Sequence, residues 1–309
     1  MNLSKFFSKD QHEVDEFFRL RRQKRYEQYG AKATLISLHN CMHYVLVYVL
    51  KLMRLFEGRK LTVIGDKRQN KRINRPVIYA CTHIGGSDIE SAFEAIESPC
   101  YLFLGDPREL YRSIDGLMLG MNGVICFETN CKQDRRIAKE RSLSLLKQGG
   151  SLLIYPEGAW NITENEPVMK LFSGTADFAL QSGADIVPIA LDRYGKHYYA
   201  NIGKEFLFSE FSSKDRHAIT ADLRDCLASL KWEIWAYQGI CRRDEIPEGY
   251  SEDFLKAIMY LPIATYTVQD VLDTKFQDKN IVDAKTAFLH LNTISPTMQN
   301  AFLFNKRLK

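Results

Sequence analysis

The chain has no Cys-x-x-Cys pair. Its seven cysteines, at 41, 81, 100, 126, 131, 226 and 241, are odd in number. They offer neither a disulfide framework nor a zinc site, and they fit a reducing compartment. No Pro/Gly/Ser-rich linker, internal repeat or low-complexity tract breaks the 309 residues. Excess charge is also missing: 42 Lys and Arg against 38 Asp and Glu leave +4, too little to make nucleic acid an expected partner. Met1 to Arg22 mixes acids and bases and lacks the short apolar core of a signal peptide. No Gly-x-Ser-x-Gly elbow occurs, and Gly85-Gly86-Ser87 lacks the second glycine, which argues against a serine hydrolase. No resident metal or cofactor is expected.

A long spanning segment is wanting too. Ala33 to Leu50 carries no formal charge, but His39, Asn40 and His43 interrupt it and Lys51 and Arg54 follow it. A spanning helix needs about 20 mainly apolar residues. The expectation is a helix lying in one leaflet, with Lys51 and Arg54 snorkelling. The alternative is a helix packed on the protein's own core. Arg19, Arg21, Arg22, Lys24 and Arg25 precede it, a cluster suited to anionic lipid headgroups or to a solvated helix face.

What is present is a regular alternation. Short apolar runs at Leu61–Ile64, Val77–Cys81, Tyr101–Leu104, Val124–Phe127, Leu152–Tyr155 and Asp185–Leu191 read as strands. Between them, Ser87 opens a helix with Glu90 completing a capping box, and Asp106–Met121, Lys132–Lys147 and Ser173–Gln181 read as helices, the last two stopped by Gly149-Gly150 and Gly183. This predicts an α/β fold with a mainly parallel central sheet flanked by helices. The expected organisation is N-terminal amphipathic helices at 1–58, an α/β core at 59–209 and a C-terminal helical extension at 210–309. Tyr198–Phe208 is expected to add edge strands.

Two segments carry the chemistry. Cys81-Thr82-His83-Ile84-Gly85-Gly86-Ser87-Asp88 follows the second strand, and Tyr155-Pro156-Glu157-Gly158 follows the fifth. In an open parallel sheet, ligands bind beyond the carboxyl ends of the strands. His-x4-Asp alone is a weak signal, since His217 and Asp222 repeat the spacing inside a charged amphipathic helix, where residues five apart do not share a face. At His83 the partners flank two glycines, which permit a turn tight enough to fold Asp88 back to the imidazole.

In order, His83 and Asp88, Gly123–Phe127, Tyr155–Gly158 and Val187–Leu191 resemble the four motifs of the glycerolipid acyltransferase family. Leu145–Leu152 and Phe172–Ala176 resemble its flanking segments, and the likeness covers residues 60–208. The resemblance implies acyl transfer from a thioester, acyl-CoA or acyl carrier protein, to a hydroxyl. His83 would be the general base and Asp88 its orienting carboxylate. Backbone N–H groups around Gly85 and Gly86, or around Glu157 and Gly158, would face the oxyanion. Glu157 and Gly158 would bind the glycerol acceptor. It also implies phospholipid synthesis on the cytoplasmic face of a membrane, with lipid substrate, anionic surface and acyl carrier protein as expected partners.

The chain departs from that family at two points. Glu128-Thr129-Asn130 and Ala159-Trp160-Asn161 stand where arginines that hold the acceptor phosphate are usual. Arginine suits phosphate because its planar fork pairs two oxygens at once. Lys132, Arg135, Arg136 and Lys170 are the candidate substitutes. Thr129, Trp160, Asn161 and Arg135 therefore join the expected acceptor site, with Trp160 and Asn161 suited to a larger, less charged headgroup. Transfer to another lysophospholipid, a glycolipid or an amine lipid is the first alternative, and a non-enzymatic lipid-binding protein the second.

Overall fold

The computed structural model describes residues 11–32, 36–69, 75–107, 114–239, 243–259, 266–277, 295 and 297–298. The beginning of the expected N-terminal helix, the first half of the helix expected over Asp106–Met121, and most of the helical stretch expected beyond 277 lie outside these residues.

Helices α1 (Gln11–Tyr29) and α2 (Ile36–Phe56) precede β1 (Lys60–Asp66) and β2 (Val77–Cys81). Then come α3 (Asp88–Ile96), β3 (Tyr101–Gly105), α4 (Ile114–Asn122), β4 (Val124–Phe127), α5 (Lys132–Lys147), β5 (Leu152–Ile154), α6 (Gly174–Ser182), β6 (Asp185–Tyr194) and β7 (His197–Ile202). Short α7 (Phe208–Phe211), long α8 (Arg216–Gln238), α9 (Tyr250–Met259) and α10 (Val268–Thr274) follow. The seven strands form one sheet in the order β1-β7-β6-β2-β5-β3-β4. Every pairing is parallel except the β6–β7 hairpin, so the expected α/β architecture holds. β7 is not an edge strand as expected; it lies between β6 and β1. Gly195, with φ +61, turns the chain back at the hairpin, and β1 then covers the far side of β7.

Strand β2 is buried along its whole length, as a central parallel strand covered on both faces must be. Its side chains alternate between two cores. Val77, Tyr79 and Cys81 pack with Val187, Ile189 and Leu191 of β6, with α3, and with Leu46, Val47 and Leu50 of α2. Ile78 and Ala80 pack on the other face with α5, α6 and the α8 residues Ile219, Leu223 and Leu227. Helix α8 is thus one of the layers that bury the sheet.

Helix α2 has two apolar faces. One enters the core as above; the other leaves Tyr44, Val45, Tyr48, Leu55 and Phe56 exposed. Its polar interruptions are internal contacts: His43 Nδ1 pairs with Asn122 Oδ1 at 2.6 Å, and His39 Nδ1 with the Met121 carbonyl at 2.8 Å. Burial lowers the His43 pKa. Arg54 does not snorkel. Its Nε lies 2.8 Å from the carboxylate of Glu94, a side chain only 1% exposed, and a buried carboxylate needs a counter-charge. Arg22 likewise turns inward, to Asp134 at 2.7 Å, leaving fewer basic groups for a headgroup surface. No single described helix is long and apolar enough to cross a membrane.

Candidate active site

The loop from Thr82 to Ser87 is wrapped around one carboxylate. Asp88 is 2% exposed. Its Oδ2 accepts from the backbone N–H of Ile84 and of Gly85, each at 3.0 Å, and pairs with His83 Nδ1 at 2.7 Å. Such convergence needs a left-handed backbone, which Gly85 (φ +71) and Gly86 (φ +62) supply without a Cβ penalty. The expected capping box is absent: Ser87 occupies the N-cap of α3 but its side chain makes no cap hydrogen bond. The carboxylate at the first position of α3 faces the loop, where the helix dipole also favours it.

His83 is held on every side but one. Its ring stacks on Tyr155 at 4.3 Å between centroids, and Trp160 meets it edge-on at 6.2 Å. Nδ1 is engaged by Asp88, so Nε2 is the nitrogen left for chemistry, and the side chain is 16% exposed. A carboxylate on Nδ1 selects the tautomer with the proton there, leaving Nε2 as a proton acceptor. Burial drives the Tyr155 phenol well above its ordinary pKa, with the Asp88 charge adding to this, so Tyr155 is a neutral platform for the ring.

Glu157, expected at the acceptor site, has both carboxylate oxygens engaged by backbone. It is fully buried, its Oε1 accepting from the His83 N–H at 2.9 Å and its Oε2 from the Met169 N–H at 2.8 Å. Burial pushes its pKa up to about 7, against the lowering effect of those two hydrogen bonds. It is a brace that ties the β2 and β5 loops together. Asn161 is a second brace: its N–H donates to the His83 carbonyl at 2.8 Å, its Nδ2 to the Glu166 carbonyl at 2.8 Å, and its Oδ1 accepts from the Thr163 N–H at 3.1 Å. Gly158 is exposed, with φ +72 at the loop's tightest point, and its N–H donates to the Tyr155 carbonyl. The amides of Gly85 and Gly158 are therefore engaged within the protein. That of Gly86 has no partner among the described residues.

Thr129 and Arg135 pair with each other, the Arg135 guanidinium donating to the Thr129 carbonyl. Among the described residues neither makes a hydrogen bond or ion pair with His83 or Trp160. The other candidate substitutes for the missing arginines lie elsewhere: Arg136 pairs with Glu140, Lys170 stands over the Phe276 ring, and Lys132 is exposed at the start of α5. The second His-x4-Asp copy is exposed at the start of α8, with Asp215 capping His217 and Asp222 paired to Lys214. Among the described residues, no group of three or more His, Cys, Asp or Glu side chains could hold a metal ion.

Two further features border the site, the first of them the helical cap that residues 210–309 could form, the second not anticipated from the sequence. The C-terminal helices roof the loops: Trp160 packs on Tyr266 at 5.3 Å, and Met259 and Val271 join Ala159 and Met169 in one cluster. Arg193 lies against the Gly85-Gly86-Ser87 turn, where a Cβ built on Gly86 would come within 2.6 Å of its Nη1. A signal existed for Arg193. It continues the i, i+2 series of Val187, Ile189 and Leu191, the inward face of β6.

Residues 60–192 match the family model described as Acyltransferase. A 1-acyl-sn-glycerol-3-phosphate acyltransferase from Borreliella burgdorferi is 25% identical over 153 residues, half of this chain. The match spans 59% of that relative's length. Among solved structures, the 1-acyl-sn-glycerophosphate (LPA) acyltransferase PlsC from Thermotoga maritima superposes with a TM-score of 0.51 at 13% identity. It covers 65% of this chain and 81% of that one, and at this identity the likeness is one of fold.

Proposed function

We propose that the protein, whose residues 60–192 match the Acyltransferase family model, moves a fatty acyl group from a thioester to a hydroxyl of a glycerolipid acceptor. The observation that carries this reading is the 2.7 Å pair of His83 Nδ1 and Asp88 Oδ2 at the carboxyl end of β2. An alcohol attacks a thioester only once its proton is being removed. His83 Nε2 takes that proton as the oxygen bonds to the thioester carbon, and Asp88 steadies the imidazolium that forms. The carbon–sulfur bond then breaks and the imidazolium returns the proton to the departing thiolate. The attacking oxygen belongs to the substrate, so no acyl-enzyme forms. The unpartnered Gly86 N–H is the donor suited to the oxyanion. The donor carrier, acyl-CoA or acyl carrier protein, is part of the proposal.

One labelled acyl-CoA offered with a panel of lysophospholipids, monoacylglycerol and an amine lipid tests the reaction. Label is expected in an ester of a lysophospholipid hydroxyl. Label confined to free fatty acid, or absent from every acceptor, would overturn it.

We also propose that the protein works on a membrane surface through the outer face of α2, where Tyr48 is 65% and Phe56 90% exposed. An apolar helix face bordered by basic residues binds an anionic interface. The chain with Tyr48→Glu and Phe56→Glu is expected to float with phosphatidylglycerol vesicles about tenfold less than wild type. Equal flotation would remove α2 as the contact.

A further inference from the structure

We propose that Arg193 binds the phosphomonoester of the acceptor, in the place left by the two arginines this chain lacks. The inference rests on the acyl-transfer reading and names the acceptor class for it. Arg193 is half-buried on β6 beyond Leu191. Its Nη1 lies 3.4 Å from Tyr198 Oη, an oxygen that also accepts the Ser87 N–H at 3.1 Å. The guanidinium thus rests on the Gly85-Gly86-Ser87 turn, one side of which presents His83. Its Nη2 donates to the Ala257 carbonyl in the last turn of α9, and Ile258 of that turn packs over Gly85.

Among the described residues Arg193 has no carboxylate partner. The acid beside it, Asp192, is occupied by Lys231 Nζ at 3.2 Å and Trp235 Nε1 at 2.6 Å. Its present acceptors are a neutral carbonyl and a phenol oxygen. A half-buried guanidinium with neutral partners only is poorly compensated. A phosphate would take over with charge-assisted and paired hydrogen bonds, roughly twice as strong as neutral ones. The turn against which Arg193 rests begins at His83, so a ligand phosphorylated at one end can be held there with its hydroxyl toward His83. Among the described residues Lys132, Arg135 and Arg136 make no hydrogen bond or ion pair with the turn, and Lys170 stands over the Phe276 ring.

The anion could also come from the donor, since acyl-CoA carries phosphates. The experiment separates the two sources. The full-length protein, Arg193→Met and Arg193→Lys are compared on 1-acylglycerol 3-phosphate and on uncharged 1-acylglycerol, with one acyl-CoA. The ratio of kcat/KM for the phosphorylated over the uncharged acceptor is expected to fall about 30-fold in Arg193→Met, mostly through KM, and to recover in part in Arg193→Lys. Both acceptors falling together would mean that Arg193 only anchors α9. A rise confined to the KM of acyl-CoA would give the site to the donor. Either result overturns the inference. Calorimetric binding of 1-acylglycerol 3-phosphate reads the same contact without turnover: weaker binding to Arg193→Met supports it, and unchanged binding refutes it. Absence of turnover by wild type with every acceptor would count against the acyl-transfer reading and leave this binding test standing.

Discussion

Replacing His83 by alanine is expected to lower acyl transfer by about a thousandfold or more with little change in stability. The two halves of this expectation have separate grounds. A positioned base contributes about 10²–10⁴-fold to such a step, and the imidazole here is placed by three side chains: Tyr155 stacks on one face, Trp160 meets it edge-on, and Asp88 fixes Nδ1. No second imidazole stands ready, since among the described residues His43 is paired with Asn122 and His217 lies exposed on α8. Stability is different. With the ring gone, Asp88 keeps the N–H groups of Ile84 and Gly85, and Glu157 keeps the backbone N–H of residue 83. The loop therefore stays tied at the same points. Labelled-acyl transfer and thermal melting on the same preparation check both halves. Transfer within tenfold of wild type would remove His83 as the base. A melting temperature lowered by more than about 8 °C would make the activity loss uninformative.

Much of the sheet was legible because each buried strand is a short apolar run bounded by glycine or polar turns, and alternate helices follow. The His83 loop was legible for a local reason: all its parts, from Cys81 to Asp88, fit in one strand-turn-helix segment. What was not legible depends on distant pairing. Glu157 reaches a backbone N–H 74 residues away, and nothing in Tyr155-Pro156-Glu157-Gly158 tells whether its carboxylate points to solvent or inward. Thr129 and Arg135 looked like acceptor contacts by motif position, yet they satisfy each other across the start of α5. Ser87 looked like a capping residue, but the neighbouring Asp88 captured the loop amides instead. Arg54 shows the same limit in α2, where a cation after an apolar run is a snorkelling signal until a buried partner such as Glu94 is known.

Glu157 should produce the largest change in how stability responds to pH. Its folded pKa is raised by burial to about 7, above its ordinary 4.5, so the native state holds this proton more tightly than the unfolded chain does. Between those values the unfolded state is ionised while the native state still carries the proton, and stability falls as pH rises. Full stabilisation from this group is present below about 4.5 and is gone above about 7, a span of about 3 kcal/mol at 1.36 kcal/mol for each pH unit. In Glu157→Gln nothing titrates, so that slope should disappear. The amide must also turn its NH2 toward either the His83 or the Met169 N–H, leaving one buried donor unpaired at a cost of about 1–3 kcal/mol at every pH. The variant is therefore expected to be clearly less stable than wild type at pH 5, with the gap narrowing toward pH 8 because wild type loses stability there. Denaturant unfolding at pH 5, 6, 7 and 8 measures both curves. Parallel curves would mean that Glu157 is ionised throughout in the folded protein, its two backbone N–H partners outweighing its burial. In that case the link between the β2 and β5 loops would be a charged one, and removing it would cost the same from pH 5 to pH 8.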